Sequence, residues 1–303
     1  MISKPNQQRL PDAPMQDMLR RAAGLVLVAQ PIPSAVAAAS VGFFALVAAA
    51  ASHAPPDPGK LVRLVAAILF CQFAIGAVND YHDVAVDATT TRLKPIVRGW
   101  ISRSDALVVA GVATAVALAC AASLGLPTAA LIVVVEVLGL AYDLRFKGTA
   151  MSAVLYSIGF PLSPLLAWTV FGHYQPFLPW ILPFGVALGL AMNIANSLPD
   201  LEADRQAGVR GLPHLLGMRR GLVLALITPP LAALVMLALS LVRWVPAHPL
   251  GLLVAILAGL LAALVPLILY LLRPTPSILR TNFYIQALGV IALATAWFAA
   301  VAL

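Results

Sequence analysis

Long apolar runs separated by short polar stretches dominate the hydrophobic pattern of the chain. Because a bilayer core about 30 Å thick needs roughly 20 apolar residues per helix, each long run is a candidate membrane span. The runs lack the alternation of about ten residues that is typical of membrane β-barrel strands, so helices are predicted. We therefore expect an all-α polytopic membrane protein with nine transmembrane helices at 23–51, 61–79, 105–124, 127–142, 150–171, 177–197, 219–241, 250–272 and 281–302.

The two ends of the chain predict a simple domain organisation. Residues 1–22 are polar and are expected to form a cytoplasmic tail that is poorly ordered or lies on the membrane surface. Residues 23–303 would form a single transmembrane domain around a central cavity. The first run is too long for the apolar region of a secretory signal, so an uncleaved helix is favoured. The fourth run is short and contains Glu136, which makes it the weakest of the nine by hydropathy.

Composition and charge agree with a membrane protein and predict its orientation. Of 303 residues, 61% are hydrophobic and 10% are charged, which excludes a soluble domain. The net charge of +7 would suggest nucleic acid in a soluble chain, but here the charge follows the loops, so no nucleic-acid partner is expected. With the N-terminus in the cytoplasm, 16 of the 19 Lys and Arg residues lie on that side. The positive-inside rule then predicts a cytoplasmic N-terminus, a C-terminus on the opposite side and an odd number of spans.

Two acidic stretches of identical spacing end the second and sixth runs. Both read N-x-x-x-D-x-x-x-D, and they lie 117 residues apart. Four residues turn an α-helix by about 400°, so each set of three side chains is predicted to line one helix face. We call them the first motif and the second motif. The first contains Asn79, Asp83 and Asp87, and the second contains Asn196, Asp200 and Asp204.

Aligned carboxylates point to cation binding, because like charges four residues apart destabilise a helix and are costly near hydrocarbon. Oxygen ligands suit Mg²⁺ or Mn²⁺, with a diphosphate as a bridge between the two motifs. The alternative is that the acids are solvated helix ends. Basic residues near the motifs are candidates to neutralise phosphate oxygens. Those that we favour are Lys94, Arg98, Arg145 and Lys147.

Motif repetition also suggests related halves at about 23–142 and 150–272, with 281–302 as an additional final helix. Arg98-Gly99 and Arg210-Gly211 occupy roughly comparable places in the two halves. The halves therefore stand as an expectation.

At these residues the chain resembles the UbiA superfamily of intramembrane prenyltransferases. The first family motif, N-D-x-x-D-x-x-x-D, is matched by Asn79, Asp80, Asp83 and Asp87. The second, D-x-x-x-D, is matched by Asp200 and Asp204, with Arg205, Gly208 and Leu212-Pro213 also typical. The segment from Lys94 to Ser102 is similar to the family segment RP-x-x-x-G-x-I-S. One departure concerns the family pattern Y-x-x-x-K, because Tyr142 lies five residues before Lys147, so either Lys147 or Arg145 is a candidate for that contact.

The resemblance implies Mg²⁺-dependent transfer of an isoprenyl group from a prenyl diphosphate to a lipophilic or aromatic acceptor inside the membrane. Diphosphate contacts are then expected from Asn79, Asn196, Tyr142 and the basic residues, and metal contacts from both motifs, including Asp80. Glu136 and Tyr81 are candidates for the acceptor site or the cavity wall. Two alternatives stay open: a terpene cyclase of the same fold that needs no acceptor, and, more remotely, a transporter.

Overall fold

The structure, a computed structural model, describes residues 13–88, 94–206, 208 and 210–302. These residues form helices joined by turns and contain no strand. A π-helix spans Tyr142–Phe146 and a 3₁₀ turn spans Leu198–Asp200. The α-helices are α1 (Ala13–Leu27), α2 (Pro31–Ala51), α3 (Pro58–His82), α4 (Val84–Asp87), α5 (Arg103–Ala122), α6 (Leu126–Ala141), α7 (Ala150–Phe171), α8 (Leu178–Ser197), α9 (Leu201–Gln206), α10 (Leu212–Leu241), α11 (Pro249–Leu272) and α12 (Pro276–Ala302).

The predicted all-α membrane fold is confirmed, whereas the count of nine spans stays a prediction. Within the described ranges, eight helical stretches are long and apolar enough to cross a bilayer. The predicted fourth span corresponds to α6, which has 16 residues and falls short of the roughly 20 that a bilayer requires. It nevertheless runs between opposite ends of the bundle. It starts beside the turn where Arg63 contacts Ser123 and leads to Lys147, which contacts Asn79.

The predicted first span, 23–51, is not one continuous helix. Gln30 has a left-handed backbone (φ 49°, ψ 62°) and separates α1 from α2. Proline lacks a backbone N–H and favours the first turn of a helix, so Pro31 starts a new helix there. Residues 13–22, predicted as part of a tail, belong to α1, and residues 1–12 lie outside the described residues. Arg21 on α1 pairs with Asp105 on α5 at 3.0 Å, which holds α1 against the bundle.

Small residues let the membrane helices approach one another closely. A Cβ atom on Gly139 of α6 would lie 2.5 Å from Ile75 of α3, and one on Gly289 of α12 would lie 2.5 Å from Ala262 of α11. Without a hydrophobic driving force between helices in lipid, such close packing contributes much of their association energy. The closeness of α6 to α3 brings the ends of these two helices together.

A buried amide connects α10 with α12. Pro229 in α10 has no N–H, so the carbonyl of Ala225, four residues earlier, lacks its usual helical donor. The Gln286 side chain of α12 is buried and donates to that carbonyl. This bond holds α12 against α10 at a point six residues after Arg280, which is a residue of the candidate site.

The predicted cytoplasmic loops meet at one end of the bundle. Lys147, after α6, contacts Asn79 at the end of α3. The N–H of Arg210, before α10, donates to the carbonyl of Gly148 at 3.0 Å. Arg280, at the start of α12, pairs with Asp200 after α8 at 2.8 Å. The loops that carry the two motifs therefore lie at the same end of the bundle, and each contacts the segment that follows α6.

Candidate active site

The first motif lies at the end of α3, where the helix bends without losing its register. The backbone at Asp83 leaves the helical region (φ −86°, ψ 7°). The Asp83 N–H still donates to the Asn79 carbonyl at 2.9 Å, and the Asp87 N–H donates to the Asp83 carbonyl at 2.8 Å. The four-residue spacing of the motif is thus kept through the bend. Asp80, Asp83 and Asp87 are 2%, 8% and 8% exposed, so three carboxylates are buried together with their charge.

Lys94 bridges two of these carboxylates. Its Nζ lies 2.8 Å from Asp80 Oδ1 and 3.0 Å from Asp87 Oδ2. Burial opposes the ammonium charge, but the hydrogen bonds to both aspartates outweigh it and raise the pKa of Lys94 above its ordinary value. The Gln30 side chain donates to Asp80 Oδ1 at 2.8 Å. The break between α1 and α2 therefore delivers an amide donor to the first motif.

Lys147 bridges the other two side chains of the motif. Its Nζ donates to Asn79 Oδ1 at 2.9 Å and also contacts Asp83. The ring Nδ1 of His82 lies 3.2 Å from Asp83 Oδ1. Burial would raise the pKa of Asp83, but the hydrogen bonds from Lys147 and His82 outweigh it and hold that pKa below its ordinary value. Asp83 is therefore ionised at neutral pH.

A π-helix explains why Lys147 reaches the motif although it departs from the family spacing. The Lys147 N–H donates to the Tyr142 carbonyl at 2.8 Å, a bond across five residues instead of four. A π-helix of one turn accommodates one extra residue, so Lys147 lies on the face that a residue four positions after Tyr142 would occupy in an α-helix. Arg145 is exposed, and no ion pair joins it to the described residues of this cluster.

Asp143 is a buried carboxyl group that the sequence reasoning missed. It lies in the π-helix and is 6% exposed. Burial is the main cause that raises its pKa to about 6, while Lys147 opposes this rise and Asp83 adds to it. The sequence offered a signal, since an acidic residue directly follows Tyr142 where an apolar run ends. Asp143 adds to the concentration of negative charge around Lys147.

The second motif is more open than the first. Pro199 lies in the 3₁₀ turn that separates α8 from α9, so the motif does not follow one regular helix. Asn196 and Asp200 are exposed, and Asp200 pairs with Arg280 at 2.8 Å. Asp204 lies 3.7 Å from the ring of His214. Arg280 was not among the candidate basic residues from the sequence, and the structure adds it to this motif.

The donor chemistry of the first motif fits a hard divalent cation. Its side chains offer only oxygen atoms, and three carboxylates carry buried negative charge, which are the ligands that Mg²⁺ prefers. Among the described residues, no group of three or more Asp, Glu, His or Cys side chains is close enough to hold a metal ion. Instead, two lysine ammonium groups lie between pairs of motif side chains.

An apolar cavity of about 780 Å³ lies inside the bundle next to the first motif. Ile75 and Tyr142 line it, and they lie four and five residues from Asn79 and Lys147 respectively. One helical turn, about 5.4 Å, therefore separates the cavity from the ionic cluster. The other aromatic residues of its wall are Phe43, Phe44, Tyr156, Phe160, Phe184, Trp297 and Phe298.

Three predicted site residues are not among the residues that line the cavity. Glu136 is buried against α5, where it accepts a hydrogen bond from Thr114, and is not among the residues that line the cavity. Tyr81 is likewise absent from the cavity wall and lies under the guanidinium of Arg103 at 4.4 Å. Arg98 stacks on the ring of Trp100 at 4.8 Å.

Comparison with known proteins assigns the chain to a family. The sequence profile of the UbiA prenyltransferase family matches residues 38–288. The chain belongs to this family. Digeranylgeranylglyceryl phosphate synthase of Natronomonas pharaonis is 31% identical over 238 residues, which cover 75% of this chain and 82% of the relative. The 4-hydroxybenzoate octaprenyltransferase of Polynucleobacter asymbioticus is 27% identical over 53% of this chain and 57% of its own length. The resemblance seen in the motifs is confirmed, and this UbiA protein is a multi-pass membrane prenyltransferase that transfers a prenyl group to an acceptor.

Solved structures show the same fold. A structure of digeranylgeranylglyceryl phosphate synthase superimposes with a TM-score of 0.75 at 13% identity, covering 93% of this chain and 98% of the other. A UbiA homologue from Archaeoglobus fulgidus, bound to GPP and Mg²⁺, superimposes with a TM-score of 0.64 at 20% identity, covering 92% and 99%. At these identities the likeness establishes the fold, and the roles of individual side chains need separate arguments.

Proposed function

We propose that this UbiA protein transfers a prenyl group from a prenyl diphosphate to a lipophilic or aromatic acceptor, with Mg²⁺ held by its two motifs. The observation that carries the proposal is the cluster of lysines and carboxylates one helical turn from an apolar cavity of about 780 Å³. The cluster matches a diphosphate with its counterions, and the cavity matches an apolar prenyl chain. Mn²⁺ is an alternative cation with the same ligand preference.

The aspartates would bind the cation that stabilises the leaving group. The cation would be held by aspartates of both motifs, namely Asp80, Asp83 and Asp87 of the first, with Asp200 and Asp204 from the other side. Mg²⁺, when bound, stabilises the charge that develops on the diphosphate as its bond to the prenyl carbon breaks.

The lysines would bind the diphosphate directly. The Lys147 side chain is 43% exposed, so it can turn from Asp83 towards phosphate oxygens. Lys94 would act in the same way from the opposite side of the carboxylates. Ionised donors form the strongest hydrogen bonds to phosphate, which suits both lysines to this task.

The cavity wall would protect the reacting carbon. Loss of diphosphate leaves an allylic cation, which water would convert to an alcohol, so a dry chamber is required. Tyr142, Tyr156 and Phe160 line the cavity, and aromatic faces attract a cation. The acceptor supplies the new bond to the prenyl carbon and loses a proton. The basic loops that surround the motifs support a site on the cytoplasmic side.

The experiment supplies purified protein in lipid nanodiscs with Mg²⁺, a labelled prenyl diphosphate and an extract of host lipids and metabolites. We expect labelled lipid products that require both Mg²⁺ and the extract, and the product mass identifies the acceptor. Replacing Asp83 by Asn should lower the rate roughly a hundredfold, because a ligand charge at the cation is lost.

The matched control is Asp57→Asn. Asp57 caps α3 at the opposite end of the bundle by accepting from the Lys60 N–H at 2.9 Å, and this variant should keep the rate. Product formation without any extract would assign the protein to the cyclase alternative. No Mg²⁺-dependent consumption of prenyl diphosphate would overturn the proposal.

A further inference from the structure

His214 is a buried imidazole beside the second motif. Its side chain is 7% exposed, and it lies in the first turn of α10. Gly217 (φ 73°) breaks the regular helix three residues later, so this short segment is separate from the membrane-spanning part of α10. A histidine in this position is placed at the motif end of the bundle and not among lipid tails.

The ring of His214 has no hydrogen-bond partner among the described residues. Both Nδ1 and Nε2 are buried without one. Nearly all buried polar atoms in folded proteins are hydrogen-bonded, and an unsatisfied one destabilises the folded state. The nearest charged group is Asp204, whose Oδ2 lies 3.7 Å from Nε2, beyond hydrogen-bonding distance. The unpartnered Nε2 therefore faces a carboxylate of the second motif across a small gap.

The surrounding backbone holds the ring in this place. A Cβ atom on Gly211 would lie 3.4 Å from Nδ1 of His214, so that side of the ring packs closely against Gly211. The adjoining Arg210 N–H donates to the Gly148 carbonyl at 3.0 Å. Asp204 is the more exposed partner, since its side chain is 40% exposed. Closing the gap requires only a shift of the carboxylate.

We infer that His214 is a positioning residue for Asp204. When Asp204 binds the cation of the proposed function, the Nε2–H of His214 donates to its free carboxylate oxygen and fixes its orientation. Hydrogen bonds of this kind around a metal ligand typically change metal affinity or activity by 10–100-fold. The inference rests on the proposed function, and it explains an imidazole that has no other use in the described structure.

The test compares His214→Leu with His214→Gln by direct cation binding. Mn²⁺ binding to purified protein is measured by electron paramagnetic resonance in the presence of inorganic diphosphate. We expect His214→Leu to weaken Mn²⁺ binding about tenfold, because the donor is lost. His214→Gln should stay within about threefold of the unchanged protein, since its amide N–H replaces the ring N–H. His173→Leu, at an exposed position outside the site, is the control and should bind as the unchanged protein does.

Thermal unfolding separates this role from simple packing. Leu removes two unsatisfied buried nitrogens, so His214→Leu should unfold at the same temperature as the unchanged protein or higher. The inference is overturned if His214→Leu binds Mn²⁺ normally, or if Leu and Gln weaken binding equally. If the unchanged protein binds no Mn²⁺ with diphosphate, the proposed function itself fails.

Discussion

At the scale of single residues, lysines of the same chain offset part of the negative charge of the first motif. Lys94 and Lys147 each contact two motif side chains, so two ammonium groups face the three buried carboxylates. An uncompensated buried charge would be strongly destabilising, so these pairs stabilise the folded protein. Under the proposed function the same lysines exchange the carboxylates for phosphate oxygens when metal and substrate bind together.

Replacing Lys147 by Met should weaken prenyl diphosphate binding. The ammonium would no longer reach the phosphate oxygens, and loss of one charge-assisted contact corresponds to roughly a tenfold rise in KM. The measurement is the initial rate against prenyl diphosphate concentration at saturating Mg²⁺. Arg145→Met is the matched control, since Arg145 is exposed and lies two residues before Lys147, in the π-helix that Lys147 follows. Equal changes in KM for both variants would show that only the overall charge of this loop matters.

At the scale of elements, irregular backbone brings the functional side chains into place. A bend at Asp83, a π-helix at Tyr142–Phe146 and a 3₁₀ turn at Leu198–Asp200 all lie at the same end of the bundle. Inside lipid, backbone groups must be paired within a helix, so such departures are tolerated where helices leave the hydrocarbon region. The π-helix is the most informative of them, since it corrects the spacing between Tyr142 and Lys147.

Deleting Leu144 tests whether the π-helix serves this spacing. The deletion restores the four-residue separation of an α-helix, and Leu144 is exposed, so little packing is lost. We expect the shortened protein to keep activity within about tenfold, because Lys147 stays on the same face.

Adding one Ala after Leu144 is the opposite change. It should turn Lys147 by about 100° and abolish the contact with Asn79 and Asp83. The measurement for both variants is the rate of prenyl transfer, with thermal unfolding to confirm that each protein is folded. If the deletion variant loses activity and the insertion variant keeps full activity, the π-helix does not serve to place Lys147.

At the scale of the whole molecule, the bundle joins an ionic cluster to an apolar chamber. The cavity wall draws residues from both ends of the chain, from α2 to α12. Val36 on α2 and Ile291 on α12 line the cavity and are also 64% and 61% exposed, so the chamber opens between these two helices. Under the proposed function, an apolar substrate would enter from the bilayer through this opening, which a soluble active site would not allow.

Narrowing the chamber should change the preference for prenyl chain length. Gly159 lines the cavity, and no atom lies within 4 Å of where its Cβ would be, so a side chain can start there without a clash and Gly159→Phe would occupy part of the chamber. We expect the rate with long prenyl diphosphates to fall by about tenfold or more, and the rate with short ones to fall less. Rates are measured across a series of chain lengths.

Gly111→Phe is the matched control for this change. Gly111 lies in the middle of α5, its Cβ position is equally open, and it does not line the cavity. This variant should retain the chain-length preference of the unchanged protein. If the Gly159 and Gly111 variants have the same chain-length preference, the cavity does not bind the prenyl chain.

Much of the fold was predictable because hydropathy is a local property. The boundaries of 150–171 agree with α7 itself, and those of 177–197 agree with α8 within one residue. The break at Gln30 was missed because the apolar run continues through Pro31 and Pro33, and hydropathy does not register a missing backbone donor. The fourth span was weak for a reason that the structure explains, since α6 is short and continues as a π-helix.

The sequence by itself determined the membrane class, the family and the two motifs, since each depends on residues close together in the chain. Only the tertiary structure decided which basic side chain contacts which motif side chain. Lys147 lies 68 residues from Asn79, and Arg280 lies 80 residues from Asp200. The same is true of Gln30, which reaches Asp80 from a different helix. Such contacts depend on how closely the helices pack and where each one bends, and no local pattern of residue types encodes that geometry.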